Sequence, residues 1–254
     1  VRTGVRPRPV DRPALRLLGF HHAGGSSGVY WPMARQLPED WDLVLIDLPG
    51  RGKRAREEPL TTLSAVLDTV YEDVQPWLDA PFALFGHSLG SLVAIELARR
   101  LEAAGQRPGW VGVSGRAGPS YQARVRRRLY ELDDERLLGQ LLAMGGTPDR
   151  IHEVPEFVER FLRLTRADLR AVESYNPDPD RVPLTAPVSA FGGDIDPWAP
   201  EFMLAGWARE TTAEFGYQLF PGGHFYFLGQ AFPGFTRALV AEAAAQLAGA
   251  ASRS

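Results

Sequence analysis

The stretch Phe82-Ala83-Leu84-Phe85-Gly86-His87-Ser88-Leu89-Gly90 decides how the rest of the chain is read. Four apolar residues, Phe82 to Phe85, read as a short buried strand, and the run from Ser88 to Ala104 has helical spacing. Between the two sits a G-x-S-x-G string, Gly86 to Gly90. Alone the string is modest evidence, but its place between strand and helix adds weight. There the serine occupies a sharp, strained turn. Small residues two positions to either side let helix and strand approach, and the hydroxyl projects from the C-terminal edge of a sheet. The competing reading is a glycine-rich turn whose serine only caps the helix.

Outward from this turn, short apolar runs alternate with helical patterns, the signature of parallel βαβ units. Strands are expected at Leu15 to Phe20, Leu43 to Ile46, Phe82 to Phe85, Trp110 to Ser114, Val188 to Phe191 and Tyr217 to Phe220, each apolar on both faces as buried parallel strands are. Helices are expected at Val29 to Leu37, Leu63 to Leu78, Ser88 to Ala104, Pro200 to Trp207 and Phe232 to Leu247. About seventy residues after Ser114 lack a strand pattern. Within them Asp133 to Met144 and Pro155 to Tyr175 have helical spacing, with Asp133 and Asp134 at an N-cap and Gly145, Gly146 and Pro148 as a stop. A helical insertion of this size in an α/β sheet reads as a lid over the strand ends. The expectation is therefore one α/β domain over residues 1–254, with a helical lid at about 120–180.

Composition narrows the function classes. The 254 residues carry a formal net charge of −3, which argues against general affinity for nucleic acid or an anionic membrane. There is no cysteine, so thiol nucleophiles, disulfides and thiolate metal sites are excluded. The start, Val1 to Pro13, lacks the apolar run of a secretion signal, and no apolar stretch is long enough for a membrane span. A soluble, cytoplasmic protein is expected.

A serine hydroxyl at such a turn needs a base to become a nucleophile. In a sheet with this turn the partners follow in the order serine, acid, histidine, the order of the α/β-hydrolase fold. Of five histidines only His224, in Pro221-Gly222-Gly223-His224-Phe225, follows the last strand. The acid should follow the preceding strand, where Gly192-Gly193-Asp194-Ile195-Asp196-Pro197 offers two carboxylates. Asp196 is favoured, because it lies further into the loop and Pro197 restricts its conformation. Asp194 is then a turn residue bonding backbone. A tetrahedral intermediate needs two N–H donors. Leu89 supplies one, and Ala23, in the glycine-bearing loop His21 to Ser27, supplies the other. Adjacent His21 and His22 face different ways with no carboxylate at ligand spacing, so neither a metal nor any cofactor is expected.

With these residues placed, the sequence resembles the type II thioesterases of polyketide and nonribosomal peptide synthases, editing enzymes of the α/β-hydrolase superfamily. The resemblance rests on His22-Ala23-Gly24-Gly25, Leu48-Pro49-Gly50-Arg51-Gly52-Lys53-Arg54, Phe85 to Gly90, Ser114-Gly115-Arg116, Gly145-Gly146-Thr147-Pro148, Arg166-Ala167-Asp168-Leu169, Gly193 to Pro197 and Gly222-Gly223-His224. It runs from about Phe20 to Phe227. His21 departs from it, standing where many members carry proline. The resemblance implies the same set, Ser88, Asp196 and His224 with Ala23 and Leu89. It also implies a partner, an acyl or peptidyl carrier protein whose phosphopantetheine arm bears an aberrant or stalled acyl unit to be hydrolysed. Lid residues Leu137, Leu138, Leu141, Leu142, Phe157, Phe161 and Leu164 would then line an acyl channel. A carboxylesterase or lipase, or an acyltransferase, fits the same triad. Two basic runs, Arg124 with Arg126 to Arg128, and Arg51 with Lys53, Arg54 and Arg56, are candidates for docking an acidic carrier.

Overall fold

The computed structural model describes residues 3–122, 128–147, 151 and 153–251. Six strands, β1 (Leu15–Phe20), β2 (Trp41–Ile46), β3 (Phe82–His87), β4 (Val111–Ser114), β5 (Val188–Gly193) and β6 (Phe215–Phe220), form one sheet. Their order is β2-β1-β3-β4-β5-β6 and every neighbouring pair is parallel. Among the described residues seven α-helices accompany them: α1 (Leu63–Val74), α2 (Leu89–Ala103), α3 (Pro119–Gln122), α4 (Asp134–Met144), α5 (Pro155–Glu173), α6 (Glu201–Leu204) and α7 (Phe232–Ala251). This is the α/β-hydrolase arrangement.

Alternation along the strands sorts the core into two layers. Leu18, Phe20, Val44, Ile46 and Leu84 face one side and pack with α1 and α2. Leu15, Leu17, Leu43, Leu45 and Phe85 face the other and pack under α7, through Phe235 and Leu239. Helix α1 shows why it forms. Leu63, Val66, Leu67, Val70 and Val74 are its buried stripe, and the Thr62 hydroxyl accepts the Ala65 N–H at its start. The chain turns from β1 to β2 on one side and then crosses to β3 on the other. The C-terminal ends of β1 and β3 therefore flank the switch point at which such sheets bind ligands.

All six expected strands are present, with adjusted edges. β2 begins at Trp41 because Asp42, which interrupts the apolar run, is buried against Arg6 and Arg16. β6 starts at Phe215 and lies at the sheet edge, where its residues are only partly covered, so it is not buried on both faces as expected. The helix expected at Val29 to Leu37 is instead a 3-10 turn over Ser27–Arg35 containing Pro32, which lacks an N–H to continue an α-helix. The segment expected as one helix at Pro200 to Trp207 divides into α6 and a 3-10 turn, Ala205–Glu210. There Gly206 lies so close to the Tyr121 ring that a Cβ would sit 2.5 Å from it.

Between β4 and β5 stand α3, α4 and α5. Asp133 caps α4 by accepting the Arg136 N–H at 2.8 Å, and Gly145 ends it at φ +80°. Leu137 and Leu141 of α4 meet Leu162 of α5 in a small separate apolar cluster. No described helix is long and apolar enough to cross a membrane.

The turn between β3 and α2 has no room for a side chain two positions to either side of the serine. A Cβ on Gly90 would lie 2.0 Å from the Phe20 carbonyl oxygen, while one on Gly139, on the exposed side of α4, would touch nothing within 4 Å. Gly90→Ala should thus cost about 3 kcal/mol or more by forcing backbone apart, whereas Gly139→Ala should stabilise by roughly 0.5–1 kcal/mol. Urea denaturation of the two variants checks this; a neutral Gly90→Ala would contradict the packing.

Candidate active site

Ser88 sits at the strand-to-helix turn with φ +55° and ψ −109°, the one non-glycine residue with positive φ among those described. That strained geometry is held from three sides. The Ser88 N–H donates to the Ser114 carbonyl at 2.8 Å. The Ser91 hydroxyl bonds the Gly86 and Ser114 carbonyls at 2.9 and 2.8 Å. A Cβ on Gly86 would collide with the Gly90 carbonyl group. The Ser88 side chain bonds no helix N–H, so it is not acting as a cap.

His224 and Asp196 meet beside this turn. His224 Nδ1 lies 2.8 Å from Asp196 Oδ2, with both side chains buried. The other Asp196 oxygen accepts the Trp198 N–H at 2.8 Å. A carboxylate on Nδ1 fixes the imidazole with its proton there and leaves Nε2 as a base. That Nε2 is buried and hydrogen-bonds to no described group. Asp194 is exposed, and its carboxylate accepts the Gly222 N–H at 2.9 Å, so it braces the loop that carries His224. The two loops approach so closely that a Cβ on Gly193 would stand 2.2 Å from the carbonyl oxygens of Gly222 and Gly223.

A cavity of ≈ 290 Å³ opens over this group, bordered by Ser88, His224, Ala23 and Leu89. As the first residue of α2, Leu89 has an N–H without an intrahelical acceptor, and no described hydrogen bond uses the Ala23 N–H. The structure thus brings together all five residues singled out in the sequence. The rest of the lining is not the expected one. Met144, Leu129, Leu169 and Val172 supply it, together with Arg116 and Tyr130, and none of the seven lid residues expected to line a channel borders the cavity. Leu137, Leu141 and Leu162 instead occupy the α4–α5 seam, and Leu142 and Phe157 face solvent. Gly146 of the loop after α4 reaches the site: it packs on the Phe225 ring, next to His224. Pro148 of that loop lies outside the described residues.

Four histidines lie close together, and three are held neutral. Burial, helped by the nearby Arg51 cation, lowers the His21 pKa to about 3. The Leu48 N–H donates to His21 Nε2, which places the proton on Nδ1, 2.8 Å from the His22 carbonyl. Burial also lowers His22 to about 3, with His21 and His224 adding to the effect. His87 is pushed well below its ordinary value by burial and then by His224 and His22. Its Nδ1 bonds the Ser114 hydroxyl, which bonds Tyr226 Oη at 2.7 Å, so it wedges the strand ends. Among the described residues no group of acidic, histidine or cysteine side chains could hold a metal.

Sequence reading missed the connection between Arg51 and Asp168. The guanidinium pairs with both oxygens of the carboxylate, at 2.7 and 2.9 Å, and both groups are buried. Arg51 is therefore not part of an exposed docking surface. Arg54 pairs with Glu57 and Asp73, which leaves Lys53 and Arg56 as the exposed members of that run. In the other run Arg128 pairs with Glu131, and Arg124, Arg126 and Arg127 lie outside the described residues. No local signal could have found the pair, because Asp168 stands between Arg166 and Arg170, and Arg51 in a basic run, in segments far apart in the chain.

Comparison with known proteins agrees with this geometry. A thioesterase-domain family model matches residues 15–242. The fold and that match define the chain as a hydrolase acting on thioesters, and it belongs to the thioesterase family. It is 36% identical over 223 residues to the thioesterase PikA5 of Streptomyces venezuelae, covering 87% of this chain and 78% of that one. The gramicidin S biosynthesis protein GrsT of Aneurinibacillus migulanus is 33% identical over 213 residues, 84% and 82% of the two chains. Among solved structures, the type II thioesterase BorB of the borrelidin cluster superposes with a TM-score of 0.86 at 34% identity, covering 96% and 97%.

Two outcomes follow from the geometry. Asp196→Asn should lower kcat about 10⁴-fold, since the amide favours the wrong imidazole tautomer, whereas Asp194→Asn should cost far less; a larger loss at Asp194 would reverse the assignment. The neutral histidines also impose a pH dependence. Their folded pKa values lie below the unfolded 6.5, so between pH 6.5 and about 3 the unfolded chain binds more protons. Their contribution to stability is present above pH 6.5 and is lost as pH falls toward 3. Urea midpoints at pH 7.5 and 5.0 should show that drop, and it should shrink in His22→Asn; an unchanged drop would contradict the burial of a neutral His22.

Proposed function

We propose that this chain is a type II thioesterase of polyketide or nonribosomal peptide assembly, which frees acyl groups from the phosphopantetheine arm of a carrier protein through an acyl-enzyme on Ser88. The observation that carries the reading is a strained serine opening on a cavity beside a buried His224–Asp196 pair. Relatives named for gramicidin S and borrelidin biosynthesis support the pathway class. The segment between β4 and β5 acts as a lid, since its Leu129, Met144 and Leu169 border the same cavity as Ser88.

In this mechanism His224 Nε2 takes the Ser88 proton as Oγ attacks the thioester carbonyl carbon. The carbonyl oxygen becomes an oxyanion, held by the N–H groups of Ala23 and Leu89. Collapse breaks the carbon–sulfur bond, and the imidazolium protonates the departing thiolate. Water then attacks the acyl-enzyme with its proton passing to His224. A second collapse returns that proton to Ser88 and releases the carboxylic acid. A thiolate leaves readily, so attack and oxyanion stabilisation carry most of the barrier. Asp196 keeps the imidazolium in place throughout without itself taking the proton.

Thioesters on carrier proteins should therefore be hydrolysed in preference to oxygen esters of the same acids. Intact-mass analysis of a panel of acyl-carrier proteins, run beside p-nitrophenyl esters, checks this. A clear preference for alkyl or glyceride esters would support an esterase instead, and transfer of the acyl group to added alcohols or amines in place of water would support an acyltransferase.

A further inference from the structure

The loop that carries Ala23 has one backbone bond across it, from the Gly25 N–H to the His22 carbonyl at 3.0 Å, and its other fastenings come from outside. It is pinned beneath α5. The Gly24 N–H, the amide next to the Ala23 donor, gives its hydrogen to Asp168 Oδ2 at 2.8 Å. The same carboxylate receives Arg51, whose Nη1 also donates to the Gly25 carbonyl and whose Nη2 donates to the Pro49 carbonyl, each at 3.3 Å. One helical turn earlier, Thr165 closes against Gly24, which stands at φ +72° with no room for a Cβ: Thr165 Oγ1 would be 2.2 Å from it. Thr165 and Asp168 are three residues apart and so share one stripe of α5. The adjoining stripe, Leu169, Val172 and Glu173, borders the cavity.

We infer that Asp168, held by Arg51, is a positioning residue for the oxyanion donor: through Gly24 it fixes the Ala23 N–H where charge develops, and it ties that placement to the helix that lines the acyl cavity. The inference rests on the acyl-enzyme reading above. Its physical basis is preorganisation. A backbone donor stabilises an oxyanion only if it is already aimed at the oxygen's position, and a glycine-bearing loop closed by a single backbone bond keeps much conformational freedom. A buried bidentate ion pair with a third hydrogen bond to the same carboxylate supplies that rigidity. Because the pair is buried, removing one partner leaves an uncompensated charge, whereas replacing both with apolar side chains spares the fold.

The test compares Asp168→Ala, Asp168→Asn and the double variant Arg51→Met/Asp168→Leu with wild type, on an acyl-pantetheine thioester. A fluorophosphonate end-point titration counts sites that retain fold and nucleophile, and kcat is expressed per labelled site. An alkylboronic acid, whose tetrahedral adduct on Ser88 presents an anionic oxygen, reports on the oxyanion site. We expect kcat to fall roughly 10- to 100-fold in Asp168→Ala and in the double variant, less than the ~10²–10³-fold loss of a whole oxyanion donor. KM should stay nearly unchanged, and boronate affinity should fall in step with kcat. Asp168→Asn, which keeps an acceptor for the Gly24 N–H, should recover part of the loss. Wild-type kcat per labelled site and wild-type boronate affinity in the double variant would make the pair structural only and overturn the inference. A wild-type enzyme that fluorophosphonate does not label would instead overturn the acyl-enzyme reading, and the inference with it.

Discussion

The backbone of Ser88 is the constraint on which the site depends. A serine at φ +55° is uncomfortable, and it persists only where the surroundings over-determine it. Here they do. Gly86 and Gly90 let α2 descend until it touches the β1 and β3 backbones, Ser91 ties the turn to β4, and the Ser88 amide is spent on the Ser114 carbonyl. Placing the hydroxyl at the top of the sheet requires β1, β3 and β4 to be adjacent and parallel, which their order provides. Strand order, glycine placement and the exposed nucleophile are thus one arrangement.

Around that fixed point the chain brings in loops from distant sequence, and each arrives with its own tether. Asp194 braces the turn bearing His224, Asp196 orients its ring, and Asp168 with Arg51 holds the glycines after Ala23. All of these tethers are carboxylates. Asp196 and Asp168 accept their N–H donors in surroundings with little water, where an ionised acceptor makes strong, directional bonds, while Asp194 does so at the surface. The neighbouring histidines contribute in the opposite way. Buried and uncharged, His21, His22 and His87 fill space, and the rings of His21 and His87 make hydrogen bonds, without adding positive charge beside His224.

Much of this was legible in the sequence because the signals were local. Short apolar runs marked all six strands, and the turn at Ser88 carried its glycines at fixed offsets. The loops with Asp196 and His224 each followed a strand end, so chain order alone nominated them. What stayed hidden was long-range. Arg51 and Asp168 lie 117 positions apart, and a lone arginine in a basic run reads as a solvated face until its partner is known. The cavity wall was misread for a related reason. Helical spacing identifies which lid residues are apolar, but not whether an apolar stripe meets the neighbouring helix, as Leu137 and Leu162 do, or the substrate space, as Leu169 does. Pro32 was visible, yet the segment was read as an α-helix although the missing proline N–H favours the 3-10 turn that forms.

The central claim is that the acyl group passes through Ser88. Rapid-quench digestion and mass mapping of the wild-type enzyme, mixed with an acyl-carrier protein, tests it most directly. The account predicts an acyl adduct, of the mass of the chain supplied, on the peptide containing Ser88 and absent in Ser88→Ala, together with loss of turnover in that variant by several orders of magnitude. An adduct on another residue, or a folded Ser88→Ala enzyme that keeps more than about a tenth of wild-type turnover, would contradict it.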